Sequence, residues 1–175
     1  GGQVIMTAKA SDALLQTVVN NTGVIEAHTL GEKGGKIVLL GGFDGGTVQV
    51  AGTLDASAPS GGNGGFIETS GAHVKVADSA KITTAAAKGK TGNWLIDPTD
   101  YTIAATGGDI TGAAVSDRLK TTNMTVATVA TGSGAGNINV NDTVVWNANT
   151  LTLTAHNNVN INKEIFGSGS ARLAV

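Results

Sequence analysis

The feature that most limits what this chain can fold into is a period of two: short runs in which aliphatic and polar residues alternate, broken every few positions by Gly, Asn, Asp or Ser. "TVQV" (47 to 50), "HVKV" (73 to 76), "LTL" (151 to 153) and "VNI" (159 to 161) each place aliphatic side chains on one face and polar ones on the other. That is the pattern of a strand with a single buried face. Comparable runs recur from "GVIEA" (23 to 27) to "NVNIN" (158 to 162), and the gaps between them are mostly too short for a crossover helix. The chain is therefore predicted to be all-β.

Two architectures share this pattern, a sandwich of antiparallel hairpins and a coil that turns in one direction and stacks parallel rungs. "GGTVQVAG" (45 to 52) and "GGFIETSG" (64 to 71) begin 19 residues apart, and "INVND" (138 to 142) and "VNINK" (159 to 163) begin 21 apart. A period near ~20 favours the coil, a solenoid of roughly eight rungs and about 40 Å. "GGKIVL" begins only 11 residues before "GGTVQV", which fits successive faces of one coil. Two-residue hairpin signals are sparse, with Asp-Gly occurring once, at Asp44-Gly45. Residues 1–175 are read as one β-helix segment, and both ends read as cut, so an internal piece of a longer polypeptide is expected. "ITGAAVSDRLKTTN" (110 to 123) breaks the rhythm. With Thr111 as N-cap, Ala114, Val115 and Leu119 as the apolar positions and Lys120 near the end, a short helix or turn is expected near 111–121.

Composition excludes several function classes. A net charge of -2, no Lys/Arg block and 3% aromatic residues leave no footprint for a nucleic-acid partner. Zero cysteine removes disulfides and thiolate metal sites together. No apolar run approaches the ~20 residues of a membrane-spanning helix, so no membrane insertion is expected, and the first residues lack the basic and apolar regions of a signal peptide.

Candidate chemistry is thin. "GGNGG" (61 to 65) is followed by the β-favouring "FIET" rather than by a helix, so its glycines read as turn residues and not as a phosphate cradle. Ser70 lacks the G-x-S-x-G context of a nucleophile elbow, and Ser70, His73 and Asp78 read as polar residues of an exposed face. His28, His73 and His156 are scattered, so no metal site is expected, and no residue pattern calls for a cofactor. Asp97, Asp100 and Asp109 could line a calcium site or a carboxylate pair for polysaccharide cleavage, but Asp97-Pro98 and Asp100 also read as turn residues. Trp94, Leu95 and Ile96 form the densest apolar cluster, an anchor where the coil changes course, with sugar stacking as a second use for the indole. Three N-x-S/T sequons stand at Asn20, Asn123 and Asn141. Exposed loops such as "ASAPSGGNGG" (56 to 65) and "ATGSGAG" (130 to 136) are the places for a shallow carbohydrate-binding face.

"GGFIETSGAHVKV", carrying Gly64, Gly65, Glu68, Thr69, Ser70 and Gly71, is followed by "WLIDP", with Trp94, Asp97 and Pro98, and by the tail "GNINVNDTVVW" and "LTLTAHNNVNIN". In this combination and order, over roughly residues 34 to 175, the chain resembles the large exoproteins of bacterial two-partner secretion, the filamentous haemagglutinin and high-molecular-weight adhesin group. The resemblance implies a right-handed parallel β-helix, export through a dedicated outer-membrane transporter barrel, and a non-enzymatic role at the cell surface or in secreted form. Such a module serves as an adhesin, a biofilm component or the stalk of a toxin. Recognition by the transporter would belong to an N-terminal region not present in these residues. Some members carry hexoses on sequon asparagines, which makes Asn20, Asn123 and Asn141 glycosylation candidates. No Arg-Gly-Asp motif occurs. A polysaccharide-active enzyme on the same coil is the competing expectation.

Overall fold

The computed structural model describes residues 1–8, 18–131 and 134–175. Its strands follow one another around a three-sided coil. The first rung comprises β1 (Gln3–Thr7), β2 (Val18–Asn21) and β3 (Val24–Glu26); the second, β4 (Lys36–Leu40), β5 (Thr47–Val50) and β6 (Thr53–Asp55); the third, β7 (Phe66–Ser70), β8 (His73–Val76) and β9 (Lys81–Thr83). The fourth has β10 (Asn93–Asp97), β11 (Tyr101–Ile103) and a helix, α1 (Gly112–Arg118). Then come β12 (Asn123–Ala127), β13 (Ile138–Val140) and β14 (Val144–Trp146), next β15 (Thr150–Thr154), β16 (Val159–Ile161) and β17 (Ile165–Gly167), and finally β18 (Arg172–Ala174).

Every strand pair among the described residues is parallel. The first face is an unbroken seven-stranded sheet, β1-β4-β7-β10-β12-β15-β18. The second carries β2-β5-β8 and then β11-β13-β16; the third carries β3-β6-β9, then α1, then β14-β17. This is a parallel β-helix, as the alternation and the sparse hairpin signals predicted. Six intervals between seven rungs give a stack about 29 Å tall.

The rung length differs from the expected ~20 residues. Stacked partners Ile37, Ile67, Trp94, Met124, Leu151 and Leu173 are separated by 30, 27, 30, 27 and 22 residues. The 21-residue spacing of Ile138 and Val159 is a true rung repeat. The 19-residue spacing is not, because Thr47–Val50 pairs with His73–Val76 while Phe66–Ser70 pairs with β4 and β10. Two glycine pairs that each open a strand need not open strands of the same face. "GGKIVL" and "GGTVQV" do lie on successive faces of one coil.

The core follows from the period-two pattern. Ile37, Ile67, Trp94, Met124 and Leu151 form one inward column of the first face, and Leu39, Thr69, Ile96, Val126 and Leu153 form the next, all fully buried. Val48 and Val74, Tyr101 and Ile138, Leu54 and Ile82, and Val144 contribute from the other two faces. At the two ends the inward positions open to solvent, with Met6 38%, Ile161 48% and Leu173 43% exposed.

Glycine is required where the coil enters its first face. A Cβ on Gly65 would stand 2.2 Å from the Gly35 carbonyl oxygen, and one on Gly92 would stand 2.0 Å from that of Gly65. Gly35, Gly65 and Gly92 therefore form a column in which successive backbones pass too closely for any side chain. Gly61 and Gly62, with φ of 130° and 84°, sit in the turn before β7, so "GGNGG" leads into a strand and not into a helix N-terminus.

The expected helix is present as α1, with Thr111 as its N-cap; the Ala114 N–H donates to Thr111 Oγ1 at 3.1 Å. It occupies the third face between β9 and β14, where a strand would otherwise continue the stack.

Candidate functional site

Because inward positions are spent on the core, chemistry on this coil is confined to outward residues, which parallel register arranges in columns one rung apart. Four such places stand out.

On the second face, Asn20, Gln49 and Lys75 point outward in register on β2, β5 and β8. The segment after β11 folds back beside them, and the Val76 N–H donates to Asp109 O at 2.8 Å. Lys75 Nζ lies 2.6 Å from Asp109 Oδ1 and donates to Gly108 O at 3.2 Å. Between these groups runs an open groove of about 370 Å³, lined by Asn20, Thr22, Gln49, Lys75, Gly108 and Asp109. Amide, hydroxyl, ammonium and carboxylate groups thus converge on one shallow surface.

Further up the same face, asparagines stack. Asn160 Nδ2 donates to Asn139 Oδ1 at 2.9 Å and Asn162 Nδ2 to Asn141 Oδ1 at 2.7 Å. Asn139 in turn reaches Thr102 Oγ1 at 3.4 Å. The 21-residue repeat writes this exposed amide ladder directly into the sequence.

On the first face, the motif residues Glu68, Ser70 and Asp97 share the outward side of β7 and β10. Ser70 Oγ donates to Glu68 Oε1 at 3.0 Å. Burial, and then the charge of Glu68, push the Asp97 carboxyl above its ordinary value. Its Oδ1 is shut off from solvent and has no hydrogen-bond partner among the described residues.

On the third face, Glu26 and Asp55 are register partners on β3 and β6, and His28 follows just beyond β3. His28 Nε2 lies 3.2 Å from Asp55 Oδ2, while Asp55 Oδ1 accepts the Ser57 N–H at 2.8 Å. Burial pushes the Asp55 carboxyl up, but the hydrogen bonds from Ser57 and the neighbouring His28 outweigh it and hold it below its ordinary value.

The remaining sequence candidates separate. Asp100 caps a loop, its two oxygens accepting from the Asn137 N–H at 2.7 Å and the Ala135 N–H at 2.9 Å. Asp109 holds Lys75 and the Thr102 N–H, so Asp97, Asp100 and Asp109 each serve a different partner. Ser70 is engaged with Glu68 and Asp78 with Thr111, while His73 points outward on β8, so these three make no hydrogen bonds with one another. Trp94 is fully buried and presents no face to a sugar; its indole is a core anchor, with Nε1 on Thr69 Oγ1 at 3.1 Å. Pro98 is buried at the corner after β10, where the first face hands over to the second.

Of the sequons, Asn20 and Asn141 are exposed. Asn123 is committed internally. Its Nδ2 donates to Thr91 O at 3.0 Å and Gly92 O at 2.8 Å, and its Oδ1 accepts from the Thr150 N–H at 2.9 Å. The loop at 56 to 65 is stacked on its neighbours, with Thr29 Oγ1 donating to Asn63 O at 2.7 Å and the Lys90 N–H donating to Asn63 Oδ1 at 2.9 Å. The loop at 130 to 136 lies partly outside the described residues.

Sequence reasoning missed the Glu26, His28 and Asp55 cluster. The alternation of "VIEAH" puts Glu26 and His28 on one face, but placing Asp55 beside them requires the 29-residue register of β3 on β6. The Glu68 and Asp97 neighbourhood was missed for the same reason.

Stacked parallel rungs around an aliphatic interior define the class of protein: a β-solenoid. The chain matches no family model, no curated protein and no solved structure.

Proposed function

We propose that this chain is a non-enzymatic module of a bacterial surface filament of the two-partner-secreted, filamentous haemagglutinin-like kind, a rigid coil that displays polar columns to glycans, host cells or biofilm matrix. The observation that carries this is the outward column Asn20, Gln49 and Lys75 beside the Asp109 loop, a shallow groove on an otherwise regular stack. Hydroxyl-rich ligands match such a surface, because amides, a lysine and a carboxylate can each exchange a water for a sugar hydroxyl without enclosing the ligand. The motifs "GGFIETSG" and "WLIDP", on adjacent rungs, support the family reading, with delivery by an outer-membrane barrel and residence outside the cell. Rung-by-rung folding suits a chain exported unfolded, since each new rung finds a template in the last.

A glycan array tests the adhesive role. The wild-type chain is expected to retain a set of glycans that the Gln49→Ala/Lys75→Ala variant loses, while a passive stalk would give the same empty array for both.

The neighbouring Glu68 and Asp97 carboxyls, with Asp97 held above its ordinary value, favour a second reading, a polysaccharide-active enzyme. New reducing or unsaturated ends after incubation with neutral and uronate polysaccharides, abolished in Glu68→Gln, would decide for it.

A further inference from the structure

Glu26, His28 and Asp55 bring one ligating atom each to within 4.8 Å of the others. We propose that these three side chains form a surface site for a divalent transition-metal ion of the zinc type, held by one imidazole nitrogen and two carboxylate oxygens.

Three observations carry this. The first is spacing. Two ligands about 2.0–2.1 Å from a tetrahedral ion lie about 3.3 Å apart, and His28 Nε2 and Asp55 Oδ2 are 3.2 Å apart. The second is orientation: the Ser57 N–H occupies Asp55 Oδ1 and leaves Oδ2 directed at His28, the kind of outer contact that fixes a ligating carboxylate. The third is composition. Glu26 and Asp55 are register partners on adjacent parallel strands, so two carboxylates share one side with a single imidazole, a donor set of the kind that divalent transition metals accept. A His28–Asp55 ion pair accounts for the 3.2 Å contact but leaves Glu26 without a role.

The donor set selects the ion. Calcium takes six to eight oxygens and magnesium a near-ideal octahedron, neither of which an imidazole and two carboxylates supply. Zinc and its neighbours accept mixed nitrogen and oxygen ligands and retain a water when the protein gives three. Because Glu26 and His28 belong to the first rung and Asp55 to the second, a bound ion would clamp these two rungs together.

The test is calorimetric titration of the chain with zinc chloride in a non-coordinating buffer near neutral pH, alongside thermal melts with and without the ion. One-to-one binding is expected, with a rise in melting temperature. His28→Gln and Asp55→Asn should each weaken binding by at least about tenfold, while His73→Gln, on another face, should leave it unchanged. His28 is exposed, so its replacement leaves the core intact, and circular dichroism of each variant checks that the coil persists. Absence of binding, or binding that survives both His28→Gln and Asp55→Asn, overturns the assignment.

Discussion

Trp94 donates its indole N–H to Thr69 Oγ1 at 3.1 Å, from one rung to the next and wholly inside the coil. Thr69 is a polar residue in a column otherwise made of Leu39, Ile96, Val126 and Leu153, and the neighbouring indole accounts for it. A tryptophan fills the wide interior of this rung but brings a donor that must be satisfied there. Thr69→Val should therefore cost about 1–3 kcal/mol in urea unfolding. In the Thr69→Val/Trp94→Phe pair the donor is gone as well, so the double variant should lose less than the sum of the single losses. Strict additivity would show that the bond contributes nothing.

The Gly35, Gly65 and Gly92 column makes a sharper prediction. Gly65→Ala places a methyl group 2.2 Å from the Gly35 carbonyl and 2.9 Å from that of Ala56, both backbone atoms of neighbouring strands or corners. A loss on the order of 3 kcal/mol is expected, since the clash can be relieved only by separating rungs. Gly23→Ala, whose new methyl group would meet nothing within 4 Å among the described residues, is the control and should be near neutral.

These two relationships also mark how far the sequence could be read. Alternation identified the strands and which residues face inward, and Thr111 with the apolar spacing of Ala114, Val115 and Leu119 located α1. The repeat at Ile138 and Val159 gave a correct register because that stretch turns its corners without insertions. Elsewhere rung length varies with the loops at the corners, and a glycine pair reports only that a corner is near. Which residues meet across rungs depends on that length. Thr69 meets Trp94 at an offset of 25 residues, and Glu26 meets Asp55 at 29, so neither contact is legible from the alternation alone.

Asp97 should give the coil a pH signature. Its folded-state affinity for a proton is raised, first by burial and then by Glu68. The folded state thus binds this proton more tightly than the unfolded chain does, and ionising Asp97 costs stability. The penalty is absent below about pH 4, sets in as pH rises above the ordinary carboxylate value and is complete above the folded one. Asp97→Asn should melt at a higher temperature than the wild type at neutral pH, with the difference shrinking as the pH is lowered. A constant difference across that range would remove the electrostatic explanation.

The sequons should behave unequally. Asn123→Ala deletes two donated bonds and one accepted bond that tie the backbone of one rung to the next, and should cost about 2 kcal/mol. Asn20→Ala, at an exposed position, should stay within about 0.5 kcal/mol. If a transferase acts on this chain, intact-mass and peptide mapping should find hexose at Asn20 or Asn141 and not at Asn123, where a sugar on Nδ2 would displace two carbonyl partners.

Where α1 replaces a strand, β14 has a ladder partner on one side only, β17, and packs against α1 on the other. The Val145 N–H is instead taken up by a side chain: it donates to Ser116 Oγ at 2.9 Å, and that hydroxyl donates onward to Gly112 O at 2.7 Å. Gly112 N–H is held in turn by Asp142 Oδ2 at 2.8 Å, so the helix is tied to the following rung from both directions. Ser116→Ala leaves the Val145 donor without its partner beside an exposed side chain, where water can replace the bond. Only about 1 kcal/mol of global stability should be lost, but the Val145 amide should exchange with solvent markedly faster than in the wild type. Amides of β12 on the unbroken first face should keep their protection, because their ladder does not pass through the helix. Uniform acceleration across both faces would mean that α1 is an integral support of the whole stack and not a local substitute for one missing strand.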